Sequence, residues 1–323
     1  MVKIAIAGGS GDLGREILDA LVATGKHEIL ILSRNDTPTF ALAPGVTWVK
    51  ANYDDANQLA EILRGVDTVI SVIVVHTDPD NRAQKNLIDA AVRAGVRRLA
   101  PSEWITSTVL PHMPWYAGKV EIRKYLEDIN KDKKVLEYTL FQPGLFLNYL
   151  TYPHKSAKHI VQLELPISFA HRRALMVEGS DEAKITLTTA EDLANVVARA
   201  VEYEGEWPRV GGVRGTELTL GQLLAIGERV RGAPFHIERL DAEDLKAGKI
   251  KSSWMPMPEH HAISPEELEK LRPTFIGGMI LGISAGHLSV SDEWNRLLPD
   301  YKFTQAEEFL AAAWRGKLDE MGL

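Results

Sequence analysis

From residue 1 to about residue 152 the chain alternates short apolar runs with longer stretches in which apolar positions recur every three or four residues. Parallel strands joined by crossover helices produce this alternation. Strands are predicted at residues 2–7, 28–33, 46–51, 68–75, 97–100 and 136–141. All six are rich in Val, Ile and Leu, as strands covered on both faces are. Between them Leu13, Ile17 and Leu21 set one apolar helix face, and Leu87, Ala91 and Ala94 set another. Gly25, Gly65 and Gly95 fall just past the predicted helix ends, where a left-handed residue closes the last turn. The repeated unit is βαβ.

After about residue 152 this rhythm stops. A mixed stretch to about residue 182 precedes four helix-start signals: Thr189-x-x-Asp192, Thr219-x-x-Gln222, Ser264-x-x-Glu267 and Thr304-x-x-Glu307. Each has the form of a capping box, and Pro265 at the first helical position strengthens the third. The expected architecture is α/β. A doubly wound parallel sheet occupies residues 1–152 and is completed by part of 183–215, and a smaller C-terminal lobe over 153–323 binds the substrate.

Composition narrows the function classes. With 323 residues, 45% hydrophobic and 25% charged, the chain has the make-up of a folded globular protein, which excludes global disorder and fibrous architectures. The net charge of −7 and the absence of a Lys/Arg block argue against a nucleic-acid partner. With no cysteine there is no disulfide, thiolate metal site or cysteine nucleophile. No window approaches 18 uninterrupted apolar residues and the N-terminal run is too short for a secretory signal, so no membrane partner and a cytoplasmic location are expected.

The first predicted strand runs into Gly8-Gly9-Ser10-Gly11-Asp12-Leu13-Gly14. This stretch satisfies both G-x-x-G-x-x-G and G-x-G-x-x-G. A dinucleotide needs a tight turn, a backbone without Cβ so that its pyrophosphate can approach, and a helix N-terminus aimed at the anion. The motif alone is weak, but here it follows a strand and opens an amphipathic helix, so the sheet is expected to be Rossmann-type. Gly8, Ser10, Gly11, Asp12, Leu13 and Gly14 are the candidate phosphate residues. The second strand ends at Ser33-Arg34, where an NAD site usually carries an acid. A guanidinium there can grip a 2′-phosphate, so NADP(H) is the expected cofactor, with Asp36 the opposing charge.

Reduction also needs a proton donor beside the cofactor. The segment Trp115-Tyr116-Ala117-Gly118-Lys119 opens a helix after Pro101-Ser102-Glu103-Trp104, and a partly desolvated lysine near a cationic nicotinamide has its pKa drawn toward neutrality. Lys119 is therefore the candidate acid/base, bordering the cofactor. Tyr116 shares its face at i, i+3, where it lines the pocket and is the second candidate catalytic residue, though not the acid. Pro143-Gly144, after the sixth strand, lies at the carboxyl edge of the sheet and is expected to border the nicotinamide. His76 follows the fourth strand at the same edge. No H-E-x-x-H motif or carboxylate cluster accompanies the scattered histidines or His260-His261, so no metal is expected. Gly9-Ser10-Gly11 lies in the phosphate loop, which leaves a serine-hydrolase reading without support.

These residues resemble the isoflavone reductase-like, NmrA-like branch of the atypical short-chain dehydrogenases, in a form most like its fungal members. The resemblance covers nearly the whole chain. It rests on the Gly8–Gly14 loop, Arg34, the strand entry Val66-Asp67-Thr68-Val69-Ile70-Ser71, Pro101-Ser102-Glu103, and Lys119 four before Arg123. Glu191-Asp192-Leu193-Ala194, Glu217-Leu218-Thr219-Leu220 and Ser291-Asp292-Glu293-Trp294-Asn295-Arg296 add to it. It implies a Rossmann domain, NADPH, hydride delivery to a small aromatic or phenolic secondary metabolite, and Lys119 as acid/base. A homodimer is compatible with it. The tyrosine four before the lysine of typical short-chain dehydrogenases is replaced by Trp115. Trp104 stands where a phenylalanine is usual, without the glycine that follows in the plant enzymes, and Asp12 stands where they commonly carry tyrosine. A redox-sensing regulator that binds NADP(H) without turnover and an isomerase using the cofactor as scaffold are the other readings.

Overall fold

A computed structural model describes residues 1–106, 111–258 and 265–317. Strands β1 (Lys3–Ala7), β2 (Glu28–Ser33), β3 (Val46–Lys50), β4 (Thr68–Ser71), β5 (Arg98–Ala100) and β6 (Glu137–Tyr138) form one sheet in the order β3-β2-β1-β4-β5-β6. Every neighbouring pair is parallel. All six carboxyl ends therefore lie along one edge, and the fold is the Rossmann-type α/β sheet expected.

Both faces are buried, and the period of two sorts the strand residues between them. Ile4, Ile6, Ile29 and Ile31 point into one core, while Ala5, Ala7, Leu30 and Leu32 point into the other. Helix α1 (Asp12–Ala23) covers the first face with Ile17, Leu18 and Leu21. Helices α2 (Ala56–Ile62), α3 (Arg82–Ala94) and α4 (Ala117–Ile129) cover the second, which Leu59, Leu87, Ile88, Ile122 and Leu126 fill. Each such fully buried aliphatic side chain stabilises the fold by about 1.5–3 kcal/mol. Gly25, Gly65 and Gly95 all take left-handed φ values, as their places past helix ends require.

Two predicted strands are cut. The run 68–75 ends at Ser71 because the chain turns at Val75–Thr77 into a short 3-10 helix with Val74 exposed. The run 136–141 breaks at Thr139. Beyond it β7 (Leu140–Gln142) leaves β5 and pairs in parallel with a strand from the second half.

The second half holds small sheets as well as helices. The remaining strands are β8 (Leu145–Phe146), β9 (Ile167–Ser168), β10 (Arg173–Val177), β11 (Lys184–Thr188), β12 (Val210–Gly212), β13 (Thr216–Thr219) and β14 (His236–Leu240). β12 is the partner of β7; β11 lies between β8 and β13; β10 lies between β9 and β14. Helices α5 (Ala190–Glu202), α6 (Leu220–Arg231), α7 (Ala242–Lys246), α8 (Pro265–Ser284), α9 (Glu293–Leu297) and α10 (Ala306–Trp314) complete the chain. α5 packs on α1, which ties the second half to the sheet.

The start signals divide. Thr219 and Gln222 form a full capping box. Thr189 caps α5 by accepting from the Asp192 N–H, but the Asp192 carboxylate turns outward to Tyr301 Oη at 2.8 Å and the Thr304 N–H at 3.1 Å. Thr304 is not the cap, since α10 starts one residue later and Gln305 at its N-cap makes no side-chain bond. Pro265 opens α8, and Ser264 lies outside the described residues.

Candidate functional site

The glycine turn follows β1 where the strand order reverses between β1 and β4. Ligands of doubly wound folds sit in the crevice at this point. Gly8 has φ +79°, and a Cβ on it would lie 3.0 Å from the Val72 carbonyl oxygen. A Cβ on Gly14 would fall 2.5 Å from the Gly8 carbonyl oxygen, so glycine is what lets α1 start this close to the turn. Gly11 is the N-cap of α1 and has no side chain with which to cap it. The first-turn N–H groups and the positive end of the helix dipole are left for an anion. Ser10 and Leu13 are half-buried around the same turn. The cradle fits a pyrophosphate in shape, and the helix dipole favours its charge while Asp12 opposes it.

Asp12 is the first residue of α1, one place past the cap. Its charge is felt by Tyr149, whose hydroxyl pKa is raised by burial first and then by Tyr116 and Asp12. At the end of β2, Arg34 is exposed. It stands near Tyr53, which donates to the Leu32 carbonyl at 3.0 Å. Asp36, the charge that would oppose a 2′-phosphate, is paired with Lys50 Nζ at 2.6 Å from the end of β3. These three side chains together carry one net positive charge.

The other end of the site is built from separate segments. After a 3-10 turn at Pro114–Tyr116, α4 carries Lys119 into the interior. Its Nζ donates to the carbonyl oxygens of Ser102 at 2.8 Å and Glu103 at 2.6 Å. An ammonium has three N–H groups, so one remains for a substrate. Burial disfavours the charged form and brings the Lys119 pKa down to about 8, with the Glu103 carboxylate opposing the shift and Arg123 adding to it. The Tyr116 ring centroid is 5.3 Å from Lys119 Nζ. Burial pushes the Tyr116 hydroxyl up to about 12, which makes it a neutral donor and a poor acid at pH 7. Lys119, Tyr116, Tyr149 and Asp12 thus run from the lysine helix back to the glycine turn.

The turn that holds the lysine is itself held from four sides. Arg123 clamps the buried Glu103 carboxylate through Nε at 3.1 Å and through Nη2. Gln142 Nε2 donates to it at 3.1 Å, and the Ser102 N–H donates to Gln84 Oε1 at 3.3 Å. Trp104, in the left-handed region at φ +48°, donates its indole N–H to the Ser71 carbonyl at 2.7 Å and its backbone N–H to Phe141 at 3.1 Å. Its ring stacks on Phe141 at 5.4 Å, and Phe141 stacks on Trp294 at 5.4 Å. Tryptophan at this position therefore extends an aromatic stack under the sheet edge.

The remaining sequence candidates fall as follows. Pro143 and Gly144 are buried at the carboxyl end of β7. Gly144 has φ +72° and presses on β11, where a Cβ would lie 2.4 Å from the Thr186 carbonyl oxygen. His76 is exposed in the turn after β4. His260 and His261 lie outside the described residues, among which no group of His, Asp and Glu could hold a metal ion. From the C-terminal lobe, α8 docks against the segment leading into α4. A Cβ on Gly278 would lie 2.3 Å from the His112 carbonyl oxygen, and Phe275 packs on Trp115 at 5.0 Å between centroids.

A model of the NmrA-like family matches residues 2–310. The chain belongs to this family. Oxidoreductase swnN of Metarhizium robertsii is 26% identical over 342 residues, covering 97% of this chain and 98% of that protein. The NADPH-dependent quinone oxidoreductase QOR2 of Escherichia coli, complexed with NADPH, is similar with a TM-score of 0.69 at 23% identity, over 97% of this chain and 100% of that one. AtPrR2 with NADP+ and (+)pinoresinol is similar with a TM-score of 0.68 at 20% identity, over 97% and 98%.

Sequence reasoning missed part of what this NmrA-like chain gathers around its lysine. Arg123 is four residues from Lys119 and so on its helix face, a signal that was available. Glu103 is 20 residues from Arg123 and 39 from Gln142, and no spacing rule joins them. Tyr149, packed against the cores of both halves, sits in a run that reads as plain core.

Proposed function

We propose that this protein is an NADPH-dependent reductase that delivers hydride to a small aromatic or phenolic secondary metabolite while Lys119 gives the proton. The observation that carries the reading is Lys119 itself, buried at the carboxyl edge of the sheet with two N–H groups held by backbone carbonyls and a pKa near 8. Around the cofactor, Gly8, Ser10, Gly11, Asp12, Leu13 and Gly14 hold the pyrophosphate, Arg34 holds the 2′-phosphate, and Pro143 and Gly144 border the nicotinamide. The cofactor, when bound, supplies the hydride.

Lys119 gives its proton through the one N–H that the backbone does not hold. The amine then keeps its bonds to Ser102 and Glu103, so the nitrogen stays in place as it titrates. Tyr116 lines the pocket beside it as a neutral hydroxyl. The relatives support NADPH-dependent reduction: one is named an oxidoreductase, one is an NADPH-dependent quinone oxidoreductase complexed with NADPH, and one is bound to NADP+ and (+)pinoresinol. No helix among the described residues is long and apolar enough to cross a membrane. The reading includes a cytoplasmic location and is compatible with a homodimer. A redox-sensing regulator would leave the tuned lysine without a use. An isomerase would form product with NADPH unchanged.

The test is titration of the purified protein with NADPH and NADH by tryptophan fluorescence, followed by a panel of quinone and phenolic acceptors watched at the nicotinamide absorbance. Tight NADPH binding, weaker NADH binding and oxidation by an acceptor are expected. Failure to bind NADPH would overturn the reading.

A further inference from the structure

The buried ion pair beside Lys119 is unexplained by packing alone. Glu103 and Arg123 are both almost fully buried, 2% and 6% exposed. Removing two charges from water costs several kcal/mol per ion before their attraction repays it, and an apolar pair of equal volume is often no less stable. One residue joins this pair to the lysine: Glu103 accepts from Lys119 through its backbone carbonyl and from Arg123 and Gln142 through its carboxylate. The carboxylate is thereby fixed relative to the carbonyl that seats the ammonium. The turn is strained, since Trp104 lies in the left-handed region, where a bulky residue persists because its surroundings over-determine it.

We propose that Glu103 is the positioning residue of Lys119: clamped by Arg123 and Gln142, its carboxylate aims the Ser102 and Glu103 carbonyls at Nζ and supplies the negative charge that keeps the lysine loaded with its proton. This rests on the assignment of Lys119 as proton donor. The charged groups acting on Nζ are Glu103 from the turn after β5 and Arg123 from α4, with Tyr116 neutral beside it. Glu103 favours the ammonium and outweighs Arg123, which opposes it. Loss of the Glu103 charge must therefore shift Lys119 toward the free amine, a change that a merely structural residue would not produce.

The test needs no substrate. Trace acetylation with acetic anhydride, from about pH 6 to about pH 11, reads the free-amine fraction of Lys119 by peptide mass spectrometry. In the wild type the labelling midpoint lies near 8. In Glu103→Gln, which keeps an amide oxygen for Gln142, the midpoint drops so that Lys119 labels about fivefold faster at pH 7. If the stranded Arg123 unfolds that variant, Glu103→Gln/Arg123→Gln removes both charges, and labelling at pH 7 rises by a smaller factor, about two- to fourfold. A folded variant with the wild-type midpoint, or a higher one, overturns the role of Glu103. A wild-type midpoint at an ordinary lysine value overturns instead the tuned lysine on which it rests.

Discussion

The two ends of the site are built in different ways. The proposed phosphate end comes from the seven consecutive residues 8–14 and from Arg34 after the next strand, and the turn contributes mostly backbone: absent Cβ atoms and a helix end that begins at glycine. The proton end draws Lys119 and Arg123 from α4, Glu103 and Trp104 from the turn after β5, Gln142 from β7 and Gln84 from α3. The first end is preorganised by geometry that any βα unit of this kind has. The second depends on packing between segments far apart in the chain, and there the proposed chemistry rests on the environment of a single amine. Binding and turnover should therefore fail separately.

The largest effect is expected at the proton end. Lys119→Ala should lower kcat by about a hundred- to ten-thousandfold while NADPH affinity stays close to wild type. Stopped-flow oxidation and fluorescence titration of the same preparation check this. At the other end, Arg34→Ala should weaken NADPH by about ten- to a hundredfold and leave NADH nearly unchanged, since it removes charge-assisted bonds to one phosphate. Equal loss for both cofactors would remove Arg34 from the 2′-phosphate. Gly14→Ala forces a methyl against the Gly8 carbonyl and should destabilise the fold by about 1–3 kcal/mol while weakening both cofactors, read by chemical denaturation and titration.

The legibility of the sequence follows the same division. β1, the glycine turn and α1 are contiguous, so strand composition, glycine spacing and helix periodicity identified them together. The β2 run needed no correction. Where tertiary partners decide, the pattern misled: 136–141 reads as one strand but changes partner at Thr139, because β12 arrives from the second half of the chain. Thr304 has the letters of a cap, yet α10 begins one residue later, with Gln305 at its N-cap. Lys119 was found from its motif position. Arg123 shares the helix face of Lys119, but no spacing rule joins either of them to Glu103 or Gln142, whose contacts span 16 to 39 residues.

Smaller effects sharpen the contrast. If Lys119 acts in its protonated form as proposed, with its pKa lowered to about 8, kcat/KM should fall as pH rises through 8, by about tenfold per further unit. A flat profile would remove the lysine from the proton step. At the phosphate end, Lys50→Ala exposes the charge of Asp36 and should weaken NADPH by about two- to fivefold, as expected for a solvent-exposed pair. Asp36→Asn in the same background should restore the affinity, and no recovery would show that Lys50 does not act through Asp36.

The most direct test places both ends in one experiment: NADPH dissociation constants, and kcat at saturating NADPH with an acceptor that the wild type reduces, for wild type, Lys119→Ala and Arg34→Ala. The account predicts that Lys119→Ala binds NADPH as the wild type does and turns over at a small fraction of its rate, while Arg34→Ala binds weakly and turns over normally once saturated. Unimpaired turnover in Lys119→Ala, or unchanged NADPH affinity in Arg34→Ala, would contradict it.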